Sequence, residues 1–336
     1  MIQAYLFTCP SLKEENDRIM AMLEGFQGIY PHQLTPVDVN QSVYLKKSFA
    51  PQVPCLEIGP YHLTGKITPD EIEAALEGTH AQIMQASQTN DSQTVSRYTQ
   101  RPRFTSGDRF SLWFSRHYLA LFNLLVFIYV ALSFSAPVLM KLDLPKPANT
   151  LYKLYSPFCH QMAYRTFFLF GEQPYYPLAE AGMKDVLSYT QATGLAENDT
   201  LAAKQFIGND RLGFKVALCQ RDVAIYFSIL LFGLLYALFK SRIKPIPWYI
   251  WVLFGLAPIG LDSISQLVSQ LGVAVFFWFP MRESTPLLRI LTGGMFGFFT
   301  AWFGYPTVED SVSLGRKELE KKTLLTGLDK QKKGTV

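Results

Sequence analysis

Four cysteines, a histidine beside one of them and a few isolated acids are the residues of this 336-residue chain with chemistry to offer. Cys159 precedes His160 directly, and Cys219 is followed three positions on by Asp222. Thiolate, imidazole and carboxylate together suit a zinc-like metal ion. Two cysteines also close a disulfide in an oxidising compartment, and thiol redox chemistry is the third use. The adjacency of Cys159 and His160 does not by itself mark a nucleophile, since sequence neighbours need not face one another. Cys9 ends an alternating apolar run and opens a helical one, where the helix dipole and unpaired N–H groups stabilise a thiolate. The bland alternative is a small buried hydrophobe. Asp262 stands inside an apolar stretch. An acid there costs about 2.5 to 3.5 kcal/mol on insertion scales, so it is expected to face other helices and pair, with Arg289 and Arg221 as partners. No nucleotide fingerprint, C-x-x-C-H or G-x-S-x-G elbow occurs in the sequence.

The elements that position these residues belong to two solvents. The chain is 49% hydrophobic and 17% charged, below the roughly 25% charge of soluble proteins. Its first hundred residues are an ordinary mixture, whereas Leu119 to Leu139 and much of 223–305 are nearly free of charge. A span of about twenty residues crosses a bilayer core at 1.5 Å per residue. Four are expected: His117 to Leu139, Val223 to Phe239, Trp248 to near Ser263, and Leu287 to Phe303. The third is interrupted by Pro258, Gly260 and Asp262. Residues 267–280 are apolar but short, and read as interfacial or re-entrant, with a fifth span as the competing reading.

Basic residues set the orientation. Arg97, Arg101, Arg103, Arg109 and Arg116 precede the first span; Lys240, Arg242 and Lys244 follow the second; Arg316, Lys317, Lys321 and Lys322 follow the fourth. All three flanks put both termini in the cytosol. The opening residues carry no basic leader and no long apolar core, so a cleaved signal peptide is not expected. A net charge of +4, clustered at the span flanks, gives nucleic-acid binding no support.

Residues 140–222 then form an external subdomain. Its Pro-rich entry LDLPKPAN reads as a linker, and AEAGMKDVLSYTQ and NDTLAAKQFI as helices, the latter capped by Asn198. Residues 1–82 read as β-α-β followed by β-β-α: a strand at 2–8, a helix at 11–25, a strand at 33–38, a strand pair in VPCLEIGPYHLTG, and a helix entered through Thr68 and Pro69. Residues 83–115, rich in Gln, Ser and Thr, read as a flexible tether, 116–305 as the four-span domain, and 306–336 as a charged cytosolic tail.

That strand order, with Cys9 after the first strand and Val53-Pro54 before the third, resembles the glutaredoxin and thioredoxin-like family over about 80 residues. In TCPSLKEE, Cys9 takes the first place of the family's C-x-x-C pair and Leu12 the second; Pro54 takes the place of its cis-proline. A full dithiol cycle cannot run on that pair, which leaves partner binding or one-cysteine redox chemistry for this domain.

SPFCHQMAYRTFF, ALCQRDVAIY, GLDSISQ and RESTPLLRILTGG resemble a family of bacterial membrane proteins catalogued as domain of unknown function 2085, over roughly 115–305. The matching positions are Cys159, His160, Gln161 and Arg165; Cys219 and Arg221; Asp262 and Gln266; and Glu283, Ser284, Thr285 and Arg289. Asp222 stands where the family has a last cysteine. The family brings no assigned reaction. The expectation is an α-helical integral membrane protein of a bacterial cell membrane, multi-pass and embedded in lipid. Its thioredoxin-like cytosolic domain would bind a protein partner, and a Cys/His/Asp site, structural or metal-binding, would lie at the outer end of the bundle. A membrane thiol-disulfide enzyme and a small transporter built on the Asp262 cluster are the alternatives.

Overall fold

The computed structural model describes residues 1–41, 46, 49, 52–239, 243–271 and 282–333. The chain divides into two compact units, Met1–Ser115 with Ser313–Val336, and Arg116–Val312.

In the first unit β1 (Ile2–Thr8) lies between β2 (His32–Asp38), which it pairs in parallel, and β3 (Cys55–Ile58), which runs antiparallel. β4 (Tyr61–Thr64) completes the order β2-β1-β3-β4. β1 is buried along most of its length, as a central strand covered on its faces must be. Helix α1 (Lys13–Gly25) contributes Ile19 and Leu23, and α2 (Pro69–Gln88) contributes Ile72, Ala75 and Leu76, to a core with Ile2, Leu6, Leu56 and Ile58. Thr68 and Glu71 cap α2 reciprocally, with Pro69 at its first position. The Val53–Pro54 bond is cis.

The stretch 83–115 is not the tether its composition suggested. α2 runs on to Gln88, α3 spans Ser92–Thr99, and α4 begins at Ser106. The Ser, Thr and Asp residues there act as caps instead of as linker: Asp91 accepts from the Gln93 and Thr94 amides, and Thr105 and Asp108 bond each other's backbone N–H. Gln3 of β1 donates to the Thr99 carbonyl at 3.3 Å. The chain is helical up to Lys333 as well, and Lys321 reaches Glu57 at 2.5 Å.

Four helices are long and apolar enough to cross a membrane, by length and composition among the described residues. They are α4 (Ser106–Lys141), α8 (Gln220–Phe239), the segment Trp248–Ser269, and Pro286–Thr323. The third runs from α9 (Trp248–Ile250) through a π-helical turn (Trp251–Leu256) into α10 (Ala257–Leu271). The interruption expected at Pro258 is absorbed, because i→i+5 pairing carries the backbone past a residue with no N–H to give. The last helix, α11, extends over Pro286–Lys333. Leu124, Leu125 and Phe127 of α4 and Leu234 and Leu238 of α8 are exposed, a surface suited to lipid and costly in water. Residues 272–281, most of the segment read as re-entrant, lie outside the described residues, as do Lys240 and Arg242.

Between α4 and α8 the chain folds a small subdomain. α5 (Pro145–Tyr155) starts inside the supposed Pro-rich linker, since proline is tolerated in a first helical turn. β5 (Thr166–Leu169), β6 (Gly208–Asn209) and β7 (Gly213–Cys219) form an antiparallel sheet ordered β5-β7-β6, which the sequence did not announce. AEAGMKDVLSYTQ is largely irregular, giving only a 3₁₀ turn at Ala179–Ala181 and the short α6 (Tyr189–Thr193). α7 (Thr200–Gln205) is capped by Asp199, not Asn198: the Asp199 carboxylate accepts the Ala202 N–H at 2.8 Å.

Candidate functional site

β7 passes into α8 without a break, so Cys219 ends the strand and Asp222 falls in the first helical turn. That turn carries N–H groups with no partner inside the helix and the positive end of the helix dipole. Cys159 closes α5, its N–H bonded to the Tyr155 carbonyl at 3.0 Å. The loop after it is turned by Gln161, at φ +55°, and docked on β7. Gln161 Nε2 donates to the Tyr152 and Ala217 carbonyls at 2.9 and 3.0 Å, and its own carbonyl accepts from Lys215 Nζ at 2.9 Å.

This docking sets Cys159 Sγ to accept the Cys219 N–H at 3.2 Å, while Cys219 Sγ accepts the Asp222 N–H at 3.4 Å. Ligating atoms of Cys159, Cys219 and Asp222 all lie within 4.8 Å of one another. Both cysteines are free thiols. The adjoining Cys219 thiol, and then burial, push the Cys159 thiol well above its ordinary value. His160 is exposed and stands outside that trio, on the lining of the same cleft of about 220 Å³. Arg165, Arg221 and Arg289 line it too.

Two acids are each shared by two arginines. Asp262 takes Arg221 Nη2 and, at 2.9 Å, Arg282 Nη2; Ser284 Oγ donates to it at 2.6 Å. Glu283 takes a fork from Arg165 at 2.8 and 2.9 Å, together with Arg289 Nη2 and Gln266 Nε2. The expected pairing of Asp262 with Arg289 is therefore corrected: Arg289 goes to Glu283, six residues ahead of it on the approach to its own helix, and Arg282 fills the place at Asp262. Arg221 pairs with Asp262 as expected.

Lys215 was overlooked. It is 1% exposed in the middle of β7, donates to the Gln161 and Lys204 carbonyls at 2.9 and 2.6 Å, and has its pKa brought down to about 7 by burial. A lysine interrupting an otherwise apolar GFKVALC run was the available signal. Gly293 and Gly297 were also passed over, although G-x-x-x-G in an apolar helix marks close helix contact.

In the first unit, Cys9 Sγ accepts from Ser11 Oγ at 3.1 Å and Asn40 Nδ2 at 3.4 Å. The Ser11 hydroxyl, then its backbone N–H and the Asn40 amide, lower the thiol's pKa. Leu12, where a resolving cysteine would stand, is exposed. Cys55 is buried, and burial raises its pKa to about 11. Pro54 directly precedes it at the entry to β3.

Four apolar helices with a buried polar head make this a helical integral membrane protein. Residues 211–303 match the family described as predicted membrane protein, DUF2085. The chain is similar to the uncharacterized protein MJ1492 of Methanocaldococcus jannaschii, 25% identical over 159 residues that cover 46% of this chain and 67% of that protein. The family match is narrower than the stretch of resemblance. It takes in Cys219, Arg221, Asp222, Asp262, Gln266, Glu283 and Arg289, while Cys159, His160, Gln161 and Arg165 precede it. No solved structure gives a significant match.

Proposed function

We propose that this protein spans a bacterial cell membrane several times, with both termini in the cytosol. At the outer end of its bundle it holds a zinc-like metal ion on Cys159, Cys219 and Asp222. The observation that carries this reading is the convergence of two free sulfurs and a carboxylate within 4.8 Å. A tetrahedral zinc with bonds of about 2.0 to 2.3 Å holds its ligand atoms a little under 4 Å apart, so small side-chain adjustments suffice. The backbone N–H groups on both sulfurs supply the outer bonds that thiolate ligands call for. His160, at the cleft, or a solvent molecule takes the remaining position. The Asp262 cluster supports a structural role over a transport one, because its carboxylate is already shared by two guanidinia and a hydroxyl.

For the first unit the sheet order β2-β1-β3-β4, with Cys9 just past β1, favours a thioredoxin-like domain that binds a cytosolic protein. One-cysteine redox chemistry at Cys9 is the second reading, favoured by the Ser11 and Asn40 bonds to its sulfur.

Metal analysis and thiol counting on the purified protein test the main reading. One zinc per chain is expected under reducing conditions, lost in Cys159→Ser and in Cys219→Ser. A metal-free protein whose Cys159 and Cys219 emerge from cells joined as a disulfide would overturn it.

A further inference from the structure

Guanidinium outnumbers carboxylate on the lining of the cleft. Among the described residues Arg165, Arg221 and Arg289 line it with Asp222 as its one carboxylate, while Asp262 and Glu283, which pair with those arginines, do not line it. Loading the metal leaves that excess unchanged, because the two thiols release two protons as a divalent cation enters. A ligand entering the cleft therefore meets positive charge on its wall. Arg221 Nε is buried without a hydrogen-bond partner, although the same guanidinium bonds Ser263 Oγ at 2.7 Å and Asp262 through its other nitrogens. Arg282, which shares Asp262 with Arg221, is 38% exposed and does not line the cleft.

We propose that this cleft binds a small phosphate-type oxyanion, held between the guanidinia of Arg165 and Arg221 and the open position of the metal. The assignment rests on the metal reading above, with solvent in the fourth place and not His160, for its second anchor and on the arginine excess for its first. Guanidinium forks match oxyanions in geometry as well as charge, and a thiolate-held metal with an open position accepts an oxygen donor. About 220 Å³ admits a phosphate group and little more, whether it comes as free phosphate or as the headgroup of a lipid at the membrane surface.

Cobalt substitution of the full-length purified protein under reducing conditions separates the two claims. Thiolate-to-cobalt absorption in the protein alone reports the metal site. Inorganic phosphate is then expected to shift the visible ligand-field bands saturably, with Arg165→Gln weakening half-saturation about tenfold or more while the thiolate absorption stays. Arg165→Lys, which keeps the charge but not the fork, reads the same loss if Arg165→Gln does not fold. Bilayer discs containing phosphatidic acid, compared with phosphatidylcholine alone, identify a headgroup source if they shift the bands without added phosphate. Bands that phosphate and phosphatidic acid both leave unmoved, or move equally in the Arg165 variants, overturn the proposal. If cobalt does not bind, the metal reading has failed, and equilibrium dialysis with radiolabelled phosphate decides the rest. Retention by wild type above Arg165→Gln then supports the oxyanion, and equal retention rejects it.

Discussion

Arg165 grips both carboxylate oxygens of Glu283, Nε to Oε1 at 2.8 Å and Nη2 to Oε2 at 2.9 Å, across 118 residues of sequence. The fork ties the turn before β5 to the segment that enters α11, and so fixes the small sheet that carries Cys219 over the helices. Glu283 is 5% exposed and also neutralises Arg289, which is 4% exposed. Its removal should be among the most damaging single changes in the bundle. Glu283→Gln is expected to cost about 3 to 5 kcal/mol, because it strands a buried guanidinium. Thermal unfolding in detergent should show the loss, and Glu283→Gln with Arg289→Met should recover part of it. A double variant no better than the single one would mean that the charge left behind is not the cause.

Lys215 gives stability a pH dependence with a definite sign. Burial brings its folded-state pKa to about 7, against an ordinary lysine value of 10.5. Below about 7 both folded and unfolded chains carry the proton, and the cost of burying the ammonium is present in full. Between about 7 and 10.5 only the unfolded chain binds it, so stability rises with pH, by at most about 1.4 kcal/mol per unit. The apparent unfolding temperature of the second unit should climb from pH 7 to 9, and Lys215→Met should flatten that climb. An identical slope in the variant would show that another group is responsible.

Cys9 and Cys55 should separate cleanly in alkylation. Hydrogen bonds from Ser11 lower the first thiol's pKa, whereas burial raises the second to about 11. Near pH 7.5, iodoacetamide should modify Cys9 at least about tenfold faster than Cys55, since the thiolate is the reactive form. Ser11→Ala should move the Cys9 pH–rate inflection upward. Equal rates at the two cysteines, or an inflection that ignores Ser11, would count against an activated Cys9.

The legible part of the fold was the part written in single-residue chemistry. Long uncharged runs announce spans whatever their neighbours do, and the Thr68-Pro69 entry to α2 is local. What escaped depends on distant partners. β7 hides because Lys215 breaks its apolar run, and the carbonyls that make that lysine acceptable in a core come from outside the strand, from Lys204 and from Gln161, the latter 54 residues back. The acids of the polar head were readable, their pairing was not: two arginines compete for each carboxylate, and spacing along the chain cannot say that Arg282, in a loop, displaces Arg289 at Asp262. His160 shows the same limit, standing next to Cys159 in sequence yet outside the trio that Cys159 joins.

Gly293 and Gly297 should be what lets α8 and α11 approach closely enough to build the site. A Cβ on Gly293 would sit 2.6 Å from the Arg221 carbonyl, and one on Gly297 would sit 2.2 Å from the Ile225 carbonyl. These contacts are with backbone, which cannot swing aside as a side-chain tip does, so the helices must separate. Arg221 would then move away from Asp262 and Ser263, and Asp222, one residue on, would move with it. Gly304 lies on the same helix with nothing near its missing side chain. Gly297→Leu is therefore expected to destabilise the protein by about 1 to 3 kcal/mol or more, as overpacking does. It should also weaken metal retention, although Gly297 is no ligand. Gly293→Ala should do the same more mildly, and Gly304→Ala should leave both unfolding temperature and metal content within error. Unfolding scans and metal analysis on the three variants provide the check. A Gly297→Leu protein as stable as Gly304→Ala would show that α8 and α11 are not in backbone contact here, and would remove the basis for placing Arg221 and Asp222 at the cleft.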